Sequence, residues 1–388
     1  VVKAAGIYIH IPFCAQKCTY CNFNTTDFFD DLAARYVEAV AREIKCSGEL
    51  LSGQSPVTVD TIYFGGGTPS IVEPDHLASL VGASRRAFDV VDAVEITIEI
   101  NPATFTREKI EAWVAAGINR ASVGAQSFLD RELSSLSRTH TADDTVRTVE
   151  QLREAGLQNI SLDLIAGLPG QTLSDWRLNL DRALKLRPEH LSLYLLEVKE
   201  GTQLYAQLKR RKVEQPDDDL AADMYRLICD ATAEAGYGQY EISNFALAAR
   251  GAQSFSLRSK HNMKYWTGMP FYGMGCGAHS YDGRARWVNT LKTESYIAEV
   301  NRTGRAVAER RELTDDERAS EALFMGLRLV EGIDLDDFCR EYGLDVREKF
   351  PNELASLEEA GLVRFSESRL ALTDKGRLLS NEVFVFFV

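Results

Sequence analysis

The distribution of apolar and polar positions divides this 388-residue chain into two unequal patterns. As far as Val198, short β-branched runs recur at regular intervals. They are GIYIHIP, TIYFGGG (Thr61 to Gly67), VEITIEIN (Val94 to Asn101), RASVGAQ (Arg120 to Gln126), NISLDLIAGLPG (Asn159 to Gly170) and HLSLYLLEV (His190 to Val198). Stretches with apolar residues at the helical period lie between them, including DLAARYVEAVAREI, PDHLASLVGASRRAF, REKIEAWVAAGI, DDTVRTVEQLREAG and LSDWRLNLDRALKL. The short runs read as buried strands and the longer ones as amphipathic helices. Six βα units in succession predict an α/β fold with a parallel sheet and helices outside it. In a β/α barrel, functional groups gather at the C-terminal ends of the strands. Cys14, Gly65 to Thr68, Glu99, Gln126 and Asp163 fall at or near such ends.

After Val198 the alternation stops. Residues 201–236 read as helical and carry a solvated charged run, KRRKVEQPDDD. Residues 237–310 are rich in Gly and Tyr and are expected to form a connecting region of short strands and loops across one end of the barrel. From Glu312 onwards helices precede two short strands around a Ser-rich turn, the outline of a winged-helix-like module. The expected organisation is a core over 1–236, a connecting region over 237–310 and a C-terminal module over 311–388. The acids in that module favour packing or docking over nucleic-acid binding.

Charge narrows the function. The net charge of −13 repels a nucleic-acid backbone on average. No apolar run approaches the roughly 20 residues needed to span a bilayer, so the expected location is cytoplasmic with no membrane anchor. The sequence allows a homodimer but carries no signature for one.

Seven cysteines are present, of which Cys14, Cys18 and Cys21 are clustered in YIHIPFCAQKCTYCNF. Cys46, Cys229 and Cys339 sit in helix-like runs and read as small buried hydrophobes. The odd, uneven count does not describe a disulfide framework. A structural zinc site would want four ligands, often in paired C-x2-C knuckles, and no second knuckle exists. Ordinary ferredoxin clusters take four cysteines. Three at C-x3-C-x2-C spacing therefore imply a [4Fe-4S] cluster with one iron lacking a protein ligand.

CAQKCTYCNF resembles the signature of radical S-adenosylmethionine (SAM) proteins. The resemblance extends over nearly the whole chain to the anaerobic coproporphyrinogen III oxidase-like subfamily. It implies a partial (β/α)6 TIM-like barrel. It also implies that the amino and carboxylate groups of SAM chelate the open iron, and that the reduced cluster cleaves the sulfonium to a 5′-deoxyadenosyl radical. In the family the YFGGGTPS loop, with Gly66, Gly67 and Thr68, meets the methionyl amino group. Glu99, Gln126, Arg138 and Asp163 match further SAM-contacting positions, and Tyr8 and Tyr20 match positions near the cluster and cofactor.

Two marks separate branches of the subfamily. The oxidase has another cysteine two positions after the last ligand, where this chain has Phe23. That departure points to the heme-chaperone branch. KHNMKYWTG then supplies His261, Asn262, Tyr265 and Trp266, an HNxxYW motif that the resemblance associates with heme binding. An imidazole is a common axial ligand, and flat aromatic rings can pack on a porphyrin. GMGCGAHS adds Cys276 and His279 as further candidates. The implied function is a heme chaperone that passes heme to acceptor hemoproteins, including respiratory ones, and retains the cluster and SAM. The alternative is the oxidase itself, which removes carbon dioxide from coproporphyrinogen III propionates.

Overall fold

The computed structural model describes residues 4–53, 56–214, 217–248 and 257–387. Gln215 and Pro216 of the charged run, and residues 249–256 of the connecting region, lie outside the described residues. The six apolar runs form the parallel strands β1 (Ala5–Ile11), β2 (Thr58–Gly66), β3 (Asp89–Ile100), β4 (Arg120–Gln126), β5 (Asn159–Ala166) and β6 (His190–Leu195). Successive strands pair in chain order, for example Ile9 with Phe64 and Glu99 with Ser122. The crossovers are the amphipathic helices α1 (Asp30–Leu51), α2 (Pro74–Ala87), α3 (Arg107–Ala115), α4 (Ala142–Glu154) and α5 (Leu173–Lys185). Reciprocal capping boxes start α4 at Thr141 and Asp144, and α5 at Thr172 and Asp175.

Outward-facing strand residues such as Ile62, Ile98, Val123 and Leu162 meet the helices in one continuous apolar core. Each fully buried side chain of this kind contributes roughly 1.5–3 kcal/mol. The inward face is different. It carries Thr61, Thr97, Ser122, Ser161, Asp163 and His190, so the interior is polar rather than a packed apolar plug.

Within the region 237–310 the short strands join the edges of the sheet, while residues 260–266 pack against the N-terminal ends of β1 and β2, where Lys264 donates to the Ala4 carbonyl and His261 meets Thr61. Beyond α6 (Asp218–Glu234), strands β7 (Tyr237–Gln239) and β8 (Asn244–Leu247) extend the sheet, β8 antiparallel to β6 and β7 antiparallel to β8. The helix α7 (Lys260–Trp266) follows, and β9 (Phe271–Met274) then pairs in parallel with β1 at the opposite side. β10 (His279–Tyr281), β11 (Ala285–Asn289) and β12 (Val307–Glu312) continue outwards as antiparallel strands. The resulting sheet has twelve strands in the order β12-β11-β10-β9-β1-β2-β3-β4-β5-β6-β8-β7 and stays open. The physical reason is edge pairing: an open parallel sheet exposes unpaired backbone groups on both sides, and this region supplies partners for both.

The last part of the chain has its own core, formed by Leu323, Phe338, Leu354, Leu357, Leu370 and Phe384 among others. Here helices pack on a small antiparallel sheet of β13 (Ile333–Asp334), β14 (Val363–Ser366) and β15 (Arg369–Leu372). No helix among the described residues is long and apolar enough to cross a membrane.

Candidate functional site

The cysteine loop leaves the C-terminal end of β1 and returns beside its own start. Phe13 and Cys14 pair in parallel with Thr26 and Asp27, and the Thr26 amide donates to the Pro12 carbonyl at 2.8 Å. Midway, Thr19 is pinned through its backbone: its N–H donates to Leu136 O (3.1 Å), and its carbonyl accepts from Leu204 N (2.8 Å). Cys18 and Cys21 flank this anchor and are joined by a turn in which Cys21 N donates to Cys18 O at 3.2 Å. All three thiols are free and half-buried, and burial pushes those of Cys14 and Cys21 up. The three thiols border a single cavity, the placement needed for a cluster whose thiolates ligate separate irons.

The cavity, about 400 Å³, brings Cys14, Cys18 and Cys21 together with Tyr20, Gly66, Gly67, Thr68, Glu99, Gln126, Arg138 and Asp163. The glycines let the end of β2 fit tightly against protein. A side chain on Gly65 would meet Glu99 Oε1 at 2.8 Å, and one on Gly67 would meet Pro12 O at 2.7 Å. Gly66 has φ of 112°, a conformation open to glycine, and a Cβ there would run into the His10 ring. This packing fixes the Gly66 N–H on Glu99 Oε2 at 2.9 Å. Thr68 Oγ1 lies 3.5 Å from Cys14 Sγ, tying the glycine loop to the cysteine loop.

Glu99 also accepts from Tyr63 OH at 3.0 Å. Burial raises its pKa to about 7, which its two hydrogen bonds oppose and the nearby Asp163 reinforces. Asp163 is likewise shifted up by burial, offset by hydroxyl donors including Ser122 at 2.9 Å and by the charge of Arg120. Gln126 adopts φ of 63° beside a register shift in the β4–β5 pairing, a bulge that re-aims its side chain. Arg138 donates to Asn101 Oδ1 (2.7 Å), Gly124 O (2.6 Å) and Cys18 Sγ (3.6 Å), bridging β3, β4 and the cysteine loop. Burial raises the Tyr20 phenol, which the Arg138 charge opposes. Tyr8 does not line the cavity. Its ring stacks on Tyr63 at 6.1 Å, and its hydroxyl pairs with His10 Nδ1 at 3.1 Å.

The HNMKYW segment forms α7, capped where Ser259 accepts from the Asn262 amide. Asn262 lines the main cavity; His261, Tyr265 and Trp266 do not. His261 is 1% exposed, with Nδ1 2.8 Å from Thr61 Oγ1 and Nε2 3.0 Å from the Tyr265 hydroxyl. Burial, helped by the charges of Lys264 and Arg120, lowers its pKa to about 3. Both ring nitrogens are thus engaged and the ring is part of the core, so His261 presents no free nitrogen to the cavity. Replacing His261 with Ala should cost about 2–4 kcal/mol of stability by stranding its partners. A hemin titration of this variant should give the same Soret maximum as that of the wild type; a displaced maximum would make His261 a ligand.

Tyr265 and Trp266 border a separate cavity of about 170 Å³ with Arg286 and Arg318. Arg328 lies over the Trp266 ring at 4.4 Å. Cys276 is fully buried, with its amide donating to Tyr36 OH at 2.9 Å and its sulfur near Tyr36 and Thr293, so it offers no open thiol. His279 is exposed at the start of β10 and does not line the main cavity.

The structure adds cavity residues that motif reading passed over, chiefly Tyr63, Asn101, Arg120 and Ser122. Alternate positions in RASVGAQ hold Arg120, Ser122, Gly124 and Gln126, a polar face at period 2. That alternation was the available signal.

A family model described as Radical SAM superfamily matches residues 8–183, and one described as HemN C-terminal domain matches residues 313–379. Fold, cysteine loop and these matches define a radical SAM protein, a class whose cofactors are a [4Fe-4S] cluster and SAM. The chain is 36% identical to the heme chaperone HemW of Bacillus subtilis over 98% of both chains. It is 34% identical to the mitochondrial radical S-adenosyl methionine domain-containing protein 1 of Danio rerio, over 85% of this chain and 74% of that one. The coproporphyrinogen III oxidase HemN of Escherichia coli shares its fold, with a TM-score of 0.85 at 24% identity over 99% of this chain and 90% of that one. The chain belongs to the radical SAM family that includes the heme chaperone HemW.

Proposed function

We propose that this protein is a heme chaperone that binds heme and passes it to acceptor hemoproteins, with a cluster and SAM retained in the barrel. Support comes first from one observation: Asn262 of the HNMKYW motif lines the same cavity as Cys14, Cys18 and Cys21. The motif and the cysteine loop, some 240 residues apart, thus serve one space. Phe23 gives further support. It is 62% exposed and borders this cavity, presenting an apolar ring where a flat porphyrin can pack.

The residues present fit both cofactors. Cys14, Cys18 and Cys21 would hold the cluster through half-buried thiolates. Glu99, Gln126, Arg138 and Asp163 would orient SAM, with the carboxylates accepting from its amino group or ribose hydroxyls and Arg138 facing its carboxylate. When bound, this pair supplies one-electron reductive chemistry. The chain's own part is to hold these groups in place: Arg138 is braced by three partners, and Glu99 by two.

Titrating the reconstituted protein with hemin should give stoichiometric uptake in the Soret band. The same preparation, assayed anaerobically with reductant and coproporphyrinogen III, should form no vinyl product. Product formation would replace the chaperone with the oxidase.

A further inference from the structure

The cavity extends beyond the residues that match cofactor motifs. On β4 the side chains of Arg120, Ser122 and Gln126 all line it, and Gly124 between them leaves the space open. At about 3.3 Å per residue, Arg120 lies roughly 20 Å along the strand from Gln126, at the far end from the cysteine loop. Arg120 is 1% exposed, yet its Nε is buried with no hydrogen-bond partner, and its guanidinium forms no ion pair among the described residues. An arginine cannot shed its charge to relieve this. A buried, unpaired charge opposes folding, so its place in the interior is explained by something it binds there.

Its surroundings define that ligand. The neighbouring imidazoles of His190 and His261 are held neutral by burial, and the hydroxyl-bound carboxyl of Asp163 is close enough for the Arg120 charge to stabilise its ionised form. Glu99 stands further along the same cavity. These acids would repel a dianionic phosphate, whereas a single guanidinium balances one carboxylate and matches it in a two-bond fork. Arg138 is a separate case, because its terminal nitrogens already serve Asn101, Gly124 and Cys18.

The geometry points to Arg120 as the floor of a carboxylate-binding subsite, with Asn262 from α7 as a second polar contact to the same ligand. The inference rests on the function proposed above, and the carboxylate is a heme propionate, because the methionyl carboxylate of SAM belongs with the open iron at the opposite end of β4.

Hemin, hemin dimethyl ester and SAM are the probes, titrated separately into the reconstituted wild-type protein, Arg120→Gln and Arg120→Lys. Arg120→Gln should weaken hemin about 10- to 100-fold and leave SAM affinity unchanged, and Arg120→Lys should recover part of the loss. The dimethyl ester should bind the wild type weakly and be indifferent to Arg120→Gln. Unchanged hemin affinity in the folded Arg120→Gln variant, or loss of SAM alone, overturns the proposal. A wild-type protein that takes up no hemin removes the chaperone reading itself, whereas hemin uptake indifferent to Arg120→Gln overturns this subsite alone. A structural role is separated by thermal melts: Arg120→Met should leave the Tm of the ligand-free protein equal or higher, and a fall in Tm with unchanged ligand affinity would assign Arg120 to the fold alone.

Discussion

Replacing Cys18 with alanine should abolish the visible absorbance of the reconstituted four-iron centre and leave the far-UV circular dichroism unchanged. The loop does not depend on this sulfur for its shape. Its ends are closed by the pairing of Phe13 and Cys14 with Thr26 and Asp27, and its middle is pinned by the backbone of Thr19. Loss of a half-buried thiol that accepts one long contact from Arg138 should change stability by less than about 1 kcal/mol. Loss of a ligand is a larger matter, since two thiolates would then serve four irons. Iron per chain after anaerobic reconstitution should fall to background, and SAM binding should fall with it. Cys276→Ala is the matched control: its sulfur lies among Tyr36, Thr293 and Asn24, away from the cavity lining, so iron content should match the wild type. Wild-type iron content in Cys18→Ala would remove Cys18 from the ligand set.

The parallel strands were legible because their apolar runs are buried on the outer face by helices of matching period. Ile62, Ile98 and Leu162 sit where the pattern placed them. The cysteine loop was legible for a different reason, as ligand spacing within eight residues survives almost any tertiary arrangement. Residues 237–310 were not legible as sheet, because short edge strands such as Tyr237–Gln239 and His279–Tyr281 are selected by unpaired backbone at the sheet edge and leave little side-chain pattern. His261 shows the limit of motif reading. Its segment named the right element, but whether a ring nitrogen is free depends on Thr61 and Tyr265, and Thr61 lies 200 residues away in sequence. The same holds for Cys276, whose burial is set by Tyr36 on α1. Arg120 was missed because one charged residue starting an apolar strand reads as a strand end, although the polar alternation it begins with Ser122, Gly124 and Gln126 marks the inward face.

Glu99→Gln should uncouple SAM binding from pH. With its pKa raised from 4.5 to about 7, Glu99 holds a proton in the folded, ligand-free protein that it has released in the unfolded chain between those values. The folded state therefore binds more protons in that window, and stability falls as the pH rises from about 4.5 through 7. The full cost above pH 7 is on the order of 3 kcal/mol. Glu43 is raised to about 7 by burial and slopes the same way, so the contribution of Glu99 is the difference between wild type and Glu99→Gln. Melts of the two ligand-free proteins should converge near pH 5 and separate above pH 7, with the variant more stable. SAM reverses this preference, because its amino group donates to the carboxylate and its sulfonium charge favours the ionised form. Binding should release a proton near neutrality, and affinity should rise with pH through 7. Titration calorimetry in buffers of different ionisation enthalpy measures that proton directly. Glu99→Gln should lose about 10- to 100-fold in SAM affinity and release fewer protons than the wild type, the remainder coming from the SAM ammonium as its nitrogen takes the open iron. Equal proton release in variant and wild type would place the titrating group elsewhere in the cavity, with Asp163, also raised by burial, as the next residue to replace.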